Sequence, residues 1–511
     1  MNSRRRFLSG TAGGVAAASL IGLKPAEGGT MQPAAPDPYT RIGVKPFINC
    51  TATITINGGS LTLPEVISTI EQASHYHVNL NELMDKVGDR LAELLQAEWG
   101  IVTAGAASSL MFATAGCLAG TDPEKIQRLP NLEGLKNEVI MPRESRNVYD
   151  HAIRDLNVKV IEVNTPDEFT NAIGPNTAMV GILGQYFGSA KLDLKDVAPI
   201  ARKAGVPILV DAAADYLIVP NPYLSLGADM VAYSGGKIIR GPQTAGLLIG
   251  RRKLVCAAWA NSAPHHGFGR PAKVSKEEIV GMLRAVEVWR KERDIQADLR
   301  LWESWYSEMI PQITKVPGVR AEVRGAVRGG PFPTLNVSWD PKQIGMTAGE
   351  VGEALLKGDP RIATHAEGEG HSFLIRPVAM KPGEHKIVAQ RLCEVLGAAR
   401  RPAPARAYAP AVADISGTWE VEMTYEVGSS RHQFMLTAKG NEIGGLHKGW
   451  AYQGNLKGHI DGAGVRFQSS HPADGNTLSY TFSGSVAGGK MSGDVNLGEY
   501  GEAKWRAARV A

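Results

Sequence analysis

Two nearby stretches decide the fold: VPILVDAAAD at residues 206–215 and DMVAYSGGK at residues 229–237. Each contains a short apolar run, which is typical of a strand that is buried on both faces of a sheet. An ionisable side chain follows each apolar run, Asp211 in the first stretch and Lys237 in the second. Because open α/β sheets bind ligands at the carboxyl ends of their strands, we expect these two side chains to face one cleft.

The alternation of strands and helices extends over residues 39–400. Further strands are predicted at 101–102, 138–141, 158–163, 178–183 and 245–249, and helices at 108–118, 148–156 and 194–204. Beyond them, a helical region is predicted at 276–313, strands at 334–337 and 373–375, and helices at 348–356 and 385–396. The pattern predicts a largely parallel sheet with helices on both faces in a large lobe (about 60–290), followed by a small α+β lobe (about 291–400).

The residues that follow these strands meet the needs of a pyridoxal 5'-phosphate (PLP) site. PLP chemistry requires a lysine that forms a Schiff base with the cofactor aldehyde and an acid that keeps the pyridine nitrogen protonated, and Lys237 and Asp211 offer these groups. The phosphate requires a helix N-terminus with small residues, and TAGAASS at 103–109 predicts such a turn. A P-loop is excluded because Ile238, not Ser or Thr, follows Lys237, and the fingerprint of dinucleotide-binding folds is missing.

These motifs make residues 42–396 similar to the fold type I PLP-dependent enzymes. Within them the sequence resembles the selenocysteine synthase-like branch that includes the D-glucosaminate-6-phosphate ammonia-lyases. The segments that carry the resemblance are INCTAT (48–53), NEL (81–83), VTAGAA (102–107), DAAA (211–214), SGGK (234–237), GPQ (241–243) and GRPAKVSKEE (269–278). The resemblance implies an α/β, aspartate aminotransferase-like large domain with PLP as its cofactor.

Carried over residue by residue, the resemblance implies that Lys237 is the Schiff-base lysine and Asp211 the partner of the pyridine nitrogen. The residues that it implies along the phosphate are Gly105, Ala106 and Ala107. One position departs from the wider class, in which a Gln or His often lies near the ring oxygen of the cofactor. Here that position is Ala214, followed by Asp215.

Further side chains are candidates for the site. Ser108 belongs to the phosphate turn, and the Ser234 hydroxyl either binds the phosphate or only shapes its turn. Gln185 follows an apolar strand, and its amide can face the cofactor. Arg376 follows the strand at 373–375, and its guanidinium suits a substrate carboxylate, with a surface salt bridge as the alternative. His151 lies on a predicted helix, where a structural role is favoured over stacking on the cofactor.

These assignments favour an enzyme that acts on an amino acid or amino sugar acid. The resemblance implies α,β-elimination with release of ammonia, and it implies a homodimer or higher homo-oligomer. The residues leave transamination and racemisation open. A selenium transferase that acts on charged tRNA is opposed by the near-neutral charge, and a non-catalytic ligand-binding protein is opposed by the intact Lys237 and Asp211.

The N-terminus has the features of an export signal. SRRRFL at residues 3–8 precedes a Gly/Ala-rich apolar run at 11–23, which predicts a twin-arginine export signal over residues 1–30. The alternative is a disordered basic tail. The run is too short for a transmembrane helix, so we expect a mature protein without a membrane span in the periplasm or another extracytoplasmic space.

The C-terminal region changes pattern. A Pro/Ala-rich linker is predicted at 401–413, and residues 414–511 combine many glycines with period-2 alternation, as in WEVEMTY at 419–425. The pattern predicts an up-and-down β meander, closed or nearly so, that resembles small lipocalin-like barrels. Both a structural cap and a ligand-binding role remain open for it.

Composition excludes several classes of protein. The chain has 511 residues, of which 43% are hydrophobic and 21% charged, which is typical of a globular protein with a sizeable core. Its 55 basic and 51 acidic residues nearly balance, so no nucleic-acid partner is expected. The four cysteines are far apart and His265-His266 has no ligand-spaced partners, so no metal site is expected.

Overall fold

The structure is a computed structural model that describes residues 37–184, 190–325, 331–366, 368–399 and 407–510. Residues 37–46 belong to a unit of their own, with a 3₁₀ helix at Thr40–Ile42. The Asp37 carboxylate accepts a hydrogen bond from the Thr40 amide at 3.0 Å and so begins that turn. The predicted export signal, Gln185 and residues 401–406 of the predicted linker lie outside the described residues.

The second unit begins at Phe47 with an α/β region. Its strands are β1 (Ile48–Asn49), β2 (Trp99–Thr103), β3 (Glu138–Pro142), β4 (Lys159–Val163), β5 (Thr177–Leu183), β6 (Ile208–Asp211), β7 (Met230–Ser234) and β8 (Gly246–Gly250). Its helices are α1 (Pro64–Ser74), α2 (Leu80–Leu95), α3 (Gly105–Ala119), α4 (Pro123–Arg128), α5 (His151–Arg154), α6 (Pro166–Ala172), α7 (Leu194–Ala204), α8 (Pro222–Ser225), α9 (Arg252–Ala260) and α10 (Lys276–Lys291).

Strands β2 to β8 form one sheet in the order β2-β8-β7-β6-β5-β3-β4. All neighbours pair in parallel except β8, which is antiparallel to both β2 and β7. A connection of eleven residues, 235–245, joins β7 to β8 without a helix, and such a short link suits antiparallel neighbours. The predicted α/β fold with a largely parallel sheet is confirmed.

The sheet owes its stability to burial on both faces. Every residue of β2, β6 and β8 is buried, and α3 packs against β7 and β8. Helix α9 packs on α3 so closely that a Cβ at Gly116 would lie 2.8 Å from the Ala258 amide nitrogen. Continuous apolar strands therefore form the centre of the core, as their sequence predicts.

A small lobe follows. Its strands are β9 (Val319–Arg324), β10 (Thr334–Trp339), β11 (Ile362–Ala363) and β12 (Ser372–Ile375), and its helices are α11 (Ile295–Ile313), α12 (Ala348–Lys357) and α13 (Glu384–Ala398). Three of these strands form an antiparallel sheet in the order β12-β10-β9. Strand β11 pairs with β1 in parallel, and this pairing links the small lobe to the segment that begins the second unit.

The C-terminal strands close into a barrel. They are β13 (Gly417–Thr424), β14 (Ser429–Lys439), β15 (Glu442–Lys448), β16 (Gln453–Asp461), β17 (Gly464–Ala473), β18 (Asn476–Ala487), β19 (Lys490–Asn496) and β20 (Glu502–Arg509). Each strand pairs with the next, and β20 pairs with β13. The predicted up-and-down meander is thus confirmed, and it is closed. Its interior contains buried aromatic side chains, among them Trp419, Phe434, Phe467, Phe482 and Trp505.

One part of the barrel interior is polar. The Nδ1 of His432 and the Nε2 of His447 are 2.7 Å apart, and the Nδ1 of His447 is 3.0 Å from the Ser469 hydroxyl. Burial, with the neighbouring His471, lowers the pKa of His432 to about 4 and that of His447 to about 2. Both imidazoles are therefore neutral at ordinary pH.

Within the described part of the chain, no helix combines the length and the apolar character needed to cross a membrane. The four cysteines are free thiols.

Candidate active site

The site is built at one edge of the main sheet, where four strand ends lie side by side. In the register of the sheet, Gly246 at the start of β8 pairs with Thr103 at the end of β2 and with Ser234 at the end of β7. Asp211 is the last residue of β6, the next strand along. Lys237 follows Ser234 after two glycines. The register therefore brings the predicted cofactor residues to one edge.

Helix α3 supplies an anion-binding end beside this edge. It begins immediately after β2 with small side chains, and Gly105 has φ +84°, a left-handed conformation that favours glycine. A Cβ at Gly246 would lie 2.3 Å from the Gly105 carbonyl carbon, so the absence of a side chain there lets β8 run against the helix end. The first-turn amides of a helix have no partners within the helix and favour a bound anion such as phosphate.

The Asp211 carboxylate and the Lys237 amine influence each other. Burial raises the pKa of Asp211, while the charge of Lys237 and the Ala213 amide, 3.1 Å from Oδ1, act in the opposite direction. Burial lowers the pKa of Lys237, and the charges of Asp211 and Asp215 oppose this shift. A cationic ring nitrogen near Asp211 would further stabilise the buried carboxylate.

A cavity of about 570 Å³, here called the helix-end cavity, lies between the start of α3 and Lys237. Its lining contains the predicted residues Gly105, Ala106, Ala107, Ser108, Asp211, Ser234 and Lys237. Gln243 lines it too, and the Oε1 of this amide is buried without a hydrogen-bond partner among the described residues. The cavity thus offers amides for a phosphate, a carboxylate for a ring nitrogen and an amine for an aldehyde, which is the donor set that PLP needs.

A second cavity of about 490 Å³, here called the arginine cavity, extends toward the small lobe. It shares Thr55, Tyr149 and Lys237 with the helix-end cavity. Arg376, which follows β12, lines it, and its Nη1 is buried without a hydrogen-bond partner among the described residues. Arg324 at the end of β9 lines the same cavity. Two guanidinium groups on a cavity that Lys237 also lines favour an anionic substrate group.

The remaining candidates are placed as follows. Ser234 lines the helix-end cavity, and Ser108 does so while its hydroxyl donates to the Ala104 carbonyl oxygen at 2.7 Å. Ala214 lines the arginine cavity. His151 is not in the site, because its exposed side chain pairs with Asp155 at 3.1 Å.

Tyr149 is a site residue that the sequence analysis missed. Its ring centroid lies 5.6 Å from the Lys237 Nζ, within the range of a cation–π contact. The helix predicted at 148–156 is in fact a 3₁₀ helix at Val148–Asp150 followed by the short α5, and this turn presents Tyr149 to the cleft. The signal that could have found it is an Asn cap, Asn147, shortly after a strand that ends near the same sheet edge.

The sheet, the helix end, the lysine and the carboxylate together define a fold type I PLP-dependent domain. Comparison with known proteins supports this class. Residues 65–270 match the sequence model of the family Aminotransferase class-V, and PLP is the cofactor that this match implies.

Three curated relatives each match across 70% of this chain. It is 28% identical to 5'-C-glycyluridine monooxygenase-decarboxylase of Streptomyces sp, covering 92% of that protein. It is 27% identical to D-glucosaminate-6-phosphate ammonia lyase of Salmonella typhimurium, covering 98% of it. It is 25% identical to L-seryl-tRNA(Sec) selenium transferase of Moorella thermoacetica, covering 83% of it.

A solved structure of D-glucosaminate-6-phosphate ammonia-lyase matches with a TM-score of 0.63 and 26% identity, over 71% of this chain and 99% of that one. The predicted resemblance is confirmed, and the chain contains a domain of PLP-dependent enzymes that include lyases and transferases.

Proposed function

We propose that this protein is an exported PLP-dependent lyase that releases ammonia from an amino acid or amino sugar acid by α,β-elimination. The observation that carries the proposal is the convergence of three groups on two cavities that share Lys237: the Lys237 amine, the Asp211 carboxylate and the Arg376 guanidinium, whose buried Nη1 has no hydrogen-bond partner among the described residues. An amine, a carboxylate and a cation in this arrangement suit a substrate with an amino group and a carboxylate.

The residues would hold PLP at three points: the first-turn amides of α3 at the phosphate, Asp211 at the ring nitrogen and Lys237 at the aldehyde. When bound, PLP supplies an electron sink for the charge that develops at the substrate α-carbon. Asp211 keeps a proton on the ring nitrogen and so preserves that sink.

The Lys237 amine accepts the substrate α-proton. Burial lowers the pKa of this amine, which increases the neutral fraction that can act as a base. Arg376 holds the substrate carboxylate and thereby orients the α-carbon toward Lys237. Loss of the α-proton and of a β-leaving group produces an unsaturated amine, which water converts to a keto acid and ammonia.

The test begins with the visible absorbance of the purified protein after PLP is added and the unbound PLP is removed by gel filtration. A band that is present in the wild type and in Lys253→Ala, an exposed lysine on α9, but absent in Lys237→Ala would support the cofactor assignment. D- and L-amino acids and amino sugar acids are then screened for ammonia. Release of both ammonia and keto acid supports the lyase, whereas keto acid without ammonia indicates transamination, and inversion alone indicates racemisation. No visible band after addition of PLP would refute the proposal.

Export and self-association are also part of the proposal. Cell fractionation should find the wild type outside the cytoplasm, and lysine replacements at Arg4, Arg5 and Arg6 should retain it inside. Sedimentation of the mature protein should show a homodimer or a larger homo-oligomer. A monomer that binds PLP would contradict the second expectation.

A further inference from the structure

A tight turn of the barrel contacts the α/β region. Asp474 and Gly475 join β17 to β18, and both have left-handed φ angles, +43° and +79°. These values are typical of the type I′ turn that joins two-residue hairpins. The Tyr452 hydroxyl donates to the Asp474 carboxylate at 2.5 Å, which braces the turn from the barrel side.

The turn lies against residues 147–154, the segment that follows β3. A Cβ at Gly475 would lie 2.8 Å from both the Asn147 amide nitrogen and the Asp150 Oδ2. The Arg154 guanidinium donates to the Asp474 carbonyl oxygen at 3.4 Å. Glycine is therefore required at 475 both by its backbone conformation and by the closeness of this contact.

The segment beneath the turn is held by a buried carboxylate. Asp150 is 1% exposed and accepts from the Nε of Arg146 at 2.6 Å and from the Nε of Arg154 at 2.8 Å. The Asn147 side chain accepts from the Tyr149 amide at 2.8 Å. Gly475 thus packs against the two residues, Asn147 and Asp150, that flank the turn carrying Tyr149.

Tyr149 is the end of this chain of contacts. Its ring lies 5.6 Å from the Lys237 Nζ and lines both cavities. Tyr149 is 51% exposed, so burial alone does not hold its side chain in place. Its position depends on the backbone of the segment on which the barrel turn rests.

We propose that the barrel is a positioning element of the active site, whose Asp474-Gly475 turn holds Asn147–Asp150 and thereby keeps Tyr149 over Lys237. The role of Tyr149 toward the cofactor rests on the proposed function, whereas the contact itself does not. A barrel with this role acts by clamping the segment and needs no ligand of its own.

The test compares Gly475→Ala with Gly489→Ala. Gly489 lies in the β18–β19 turn of the same barrel with φ +73°, but a Cβ there meets nothing within 4 Å. Both variants therefore place a side chain at a similar left-handed φ angle, and only Gly475→Ala disturbs the contact. Thermal unfolding should show the same loss of stability in both variants, except for an additional loss in Gly475→Ala that comes from the disturbed contact.

The first measurement is hydrogen exchange of residues 147–154 in the cofactor-free full chain. Exchange should increase in Gly475→Ala and remain at the wild-type rate in Gly489→Ala. The second measurement is the Kd for PLP. We expect it to rise about two- to ten-fold in Gly475→Ala, which corresponds to the free energy of one aromatic contact. Tyr149→Ala should show the same rise, Tyr149→Phe should restore wild-type binding, and the double variant should show no further loss.

Each result has a distinct meaning. Unchanged exchange in Gly475→Ala, or losses that add in the double variant, would overturn the positioning role. Increased exchange with an unchanged Kd for PLP would also overturn it, because the contact would then serve stability alone. A wild type that fails to bind PLP would overturn the proposed function and the positioning role together, while the exchange data would still report on the contact.

Discussion

Replacing Gly246 with alanine should weaken PLP binding by at least about 100-fold while leaving the protein folded. The new Cβ would lie 2.3 Å from the Gly105 carbonyl carbon and 2.6 Å from the Ala106 nitrogen, and both neighbours are backbone atoms that cannot rotate away. Ordinary contact begins near 3.4 Å, so β8 and the start of α3 must separate by about 1 Å.

That displacement is large relative to a hydrogen bond. An amide that lies about 2.9 Å from a phosphate oxygen would move to about 3.9 Å, beyond hydrogen-bonding distance. A hydrogen bond to a charged group contributes about 1.5–3 kcal/mol, so the loss of two such bonds costs about 3–6 kcal/mol of binding free energy. The lower limit already corresponds to a factor of about 150 in Kd. Overpacking itself lowers the free energy of unfolding by about 1–3 kcal/mol.

The assay is a titration of cofactor-free protein with PLP, followed by visible absorbance. Gly444→Ala is the control, because Gly444 is also a strand glycine but a Cβ there meets nothing within 4 Å. Circular dichroism establishes that both variants are folded. If Gly246→Ala binds PLP within about three-fold of the wild type, the reasoning that places the phosphate at the start of α3 is refuted.

Three further outcomes are expected. Asp211→Asn should retain PLP but lower the rate of ammonia release by about 100-fold or more, because the ring nitrogen loses its anionic partner; an unchanged rate would contradict this role. Arg376→Lys should lower kcat/KM by about 10-fold or more through KM, because an ammonium cannot form the paired hydrogen bonds of a guanidinium; a change in kcat alone would argue against carboxylate binding. The barrel should lose stability as pH falls from about 6.5 toward 4, since the lowered pKa values of His432 (about 4) and His447 (about 2) keep both neutral when folded, while they gain protons when unfolded. Calorimetry should show a loss of about 1.4 kcal/mol per pH unit for each of these two histidines, and His447→Phe should reduce the slope by about the contribution of one histidine.

The sequence could predict those parts of the fold that local patterns encode. Continuous apolar runs identified the buried strands, and period-2 alternation identified the barrel, because side-chain periodicity follows directly from burial on one face or two. The direction of β8 was not predicted, since an isolated apolar strand carries no information about the direction of its neighbours. Helices α1, α2 and α9 were also not predicted.

The candidate site likewise has a part that the sequence could predict and a part that only the structure showed. Lys237, Asp211 and Gly105–Ser108 could be predicted because each lies at or within a few residues of the end of an apolar run, and the carboxyl ends of parallel strands meet at one edge. Tyr149 and Arg324 were not predicted: the Asn147 cap signals a turn near the sheet edge, but packing decides whether a side chain of that turn, or of the end of β9, enters the cleft. The close approach of Gly246 to Gly105 is likewise a property of the assembled sheet.

The sequence alone was sufficient for the alternation of strands and helices and for the class of cofactor, and it predicted Lys237 and Asp211 as the side chains for that cofactor, because these inferences depend on residues near one another in the chain. Only the tertiary structure decided that the cleft has two cavities joined at Lys237, and that a barrel turn more than 300 residues away in the chain rests against the segment that carries Tyr149. The physical reason is that such contacts arise from the packing of distant surfaces, and no local periodicity or spacing records which surfaces will meet.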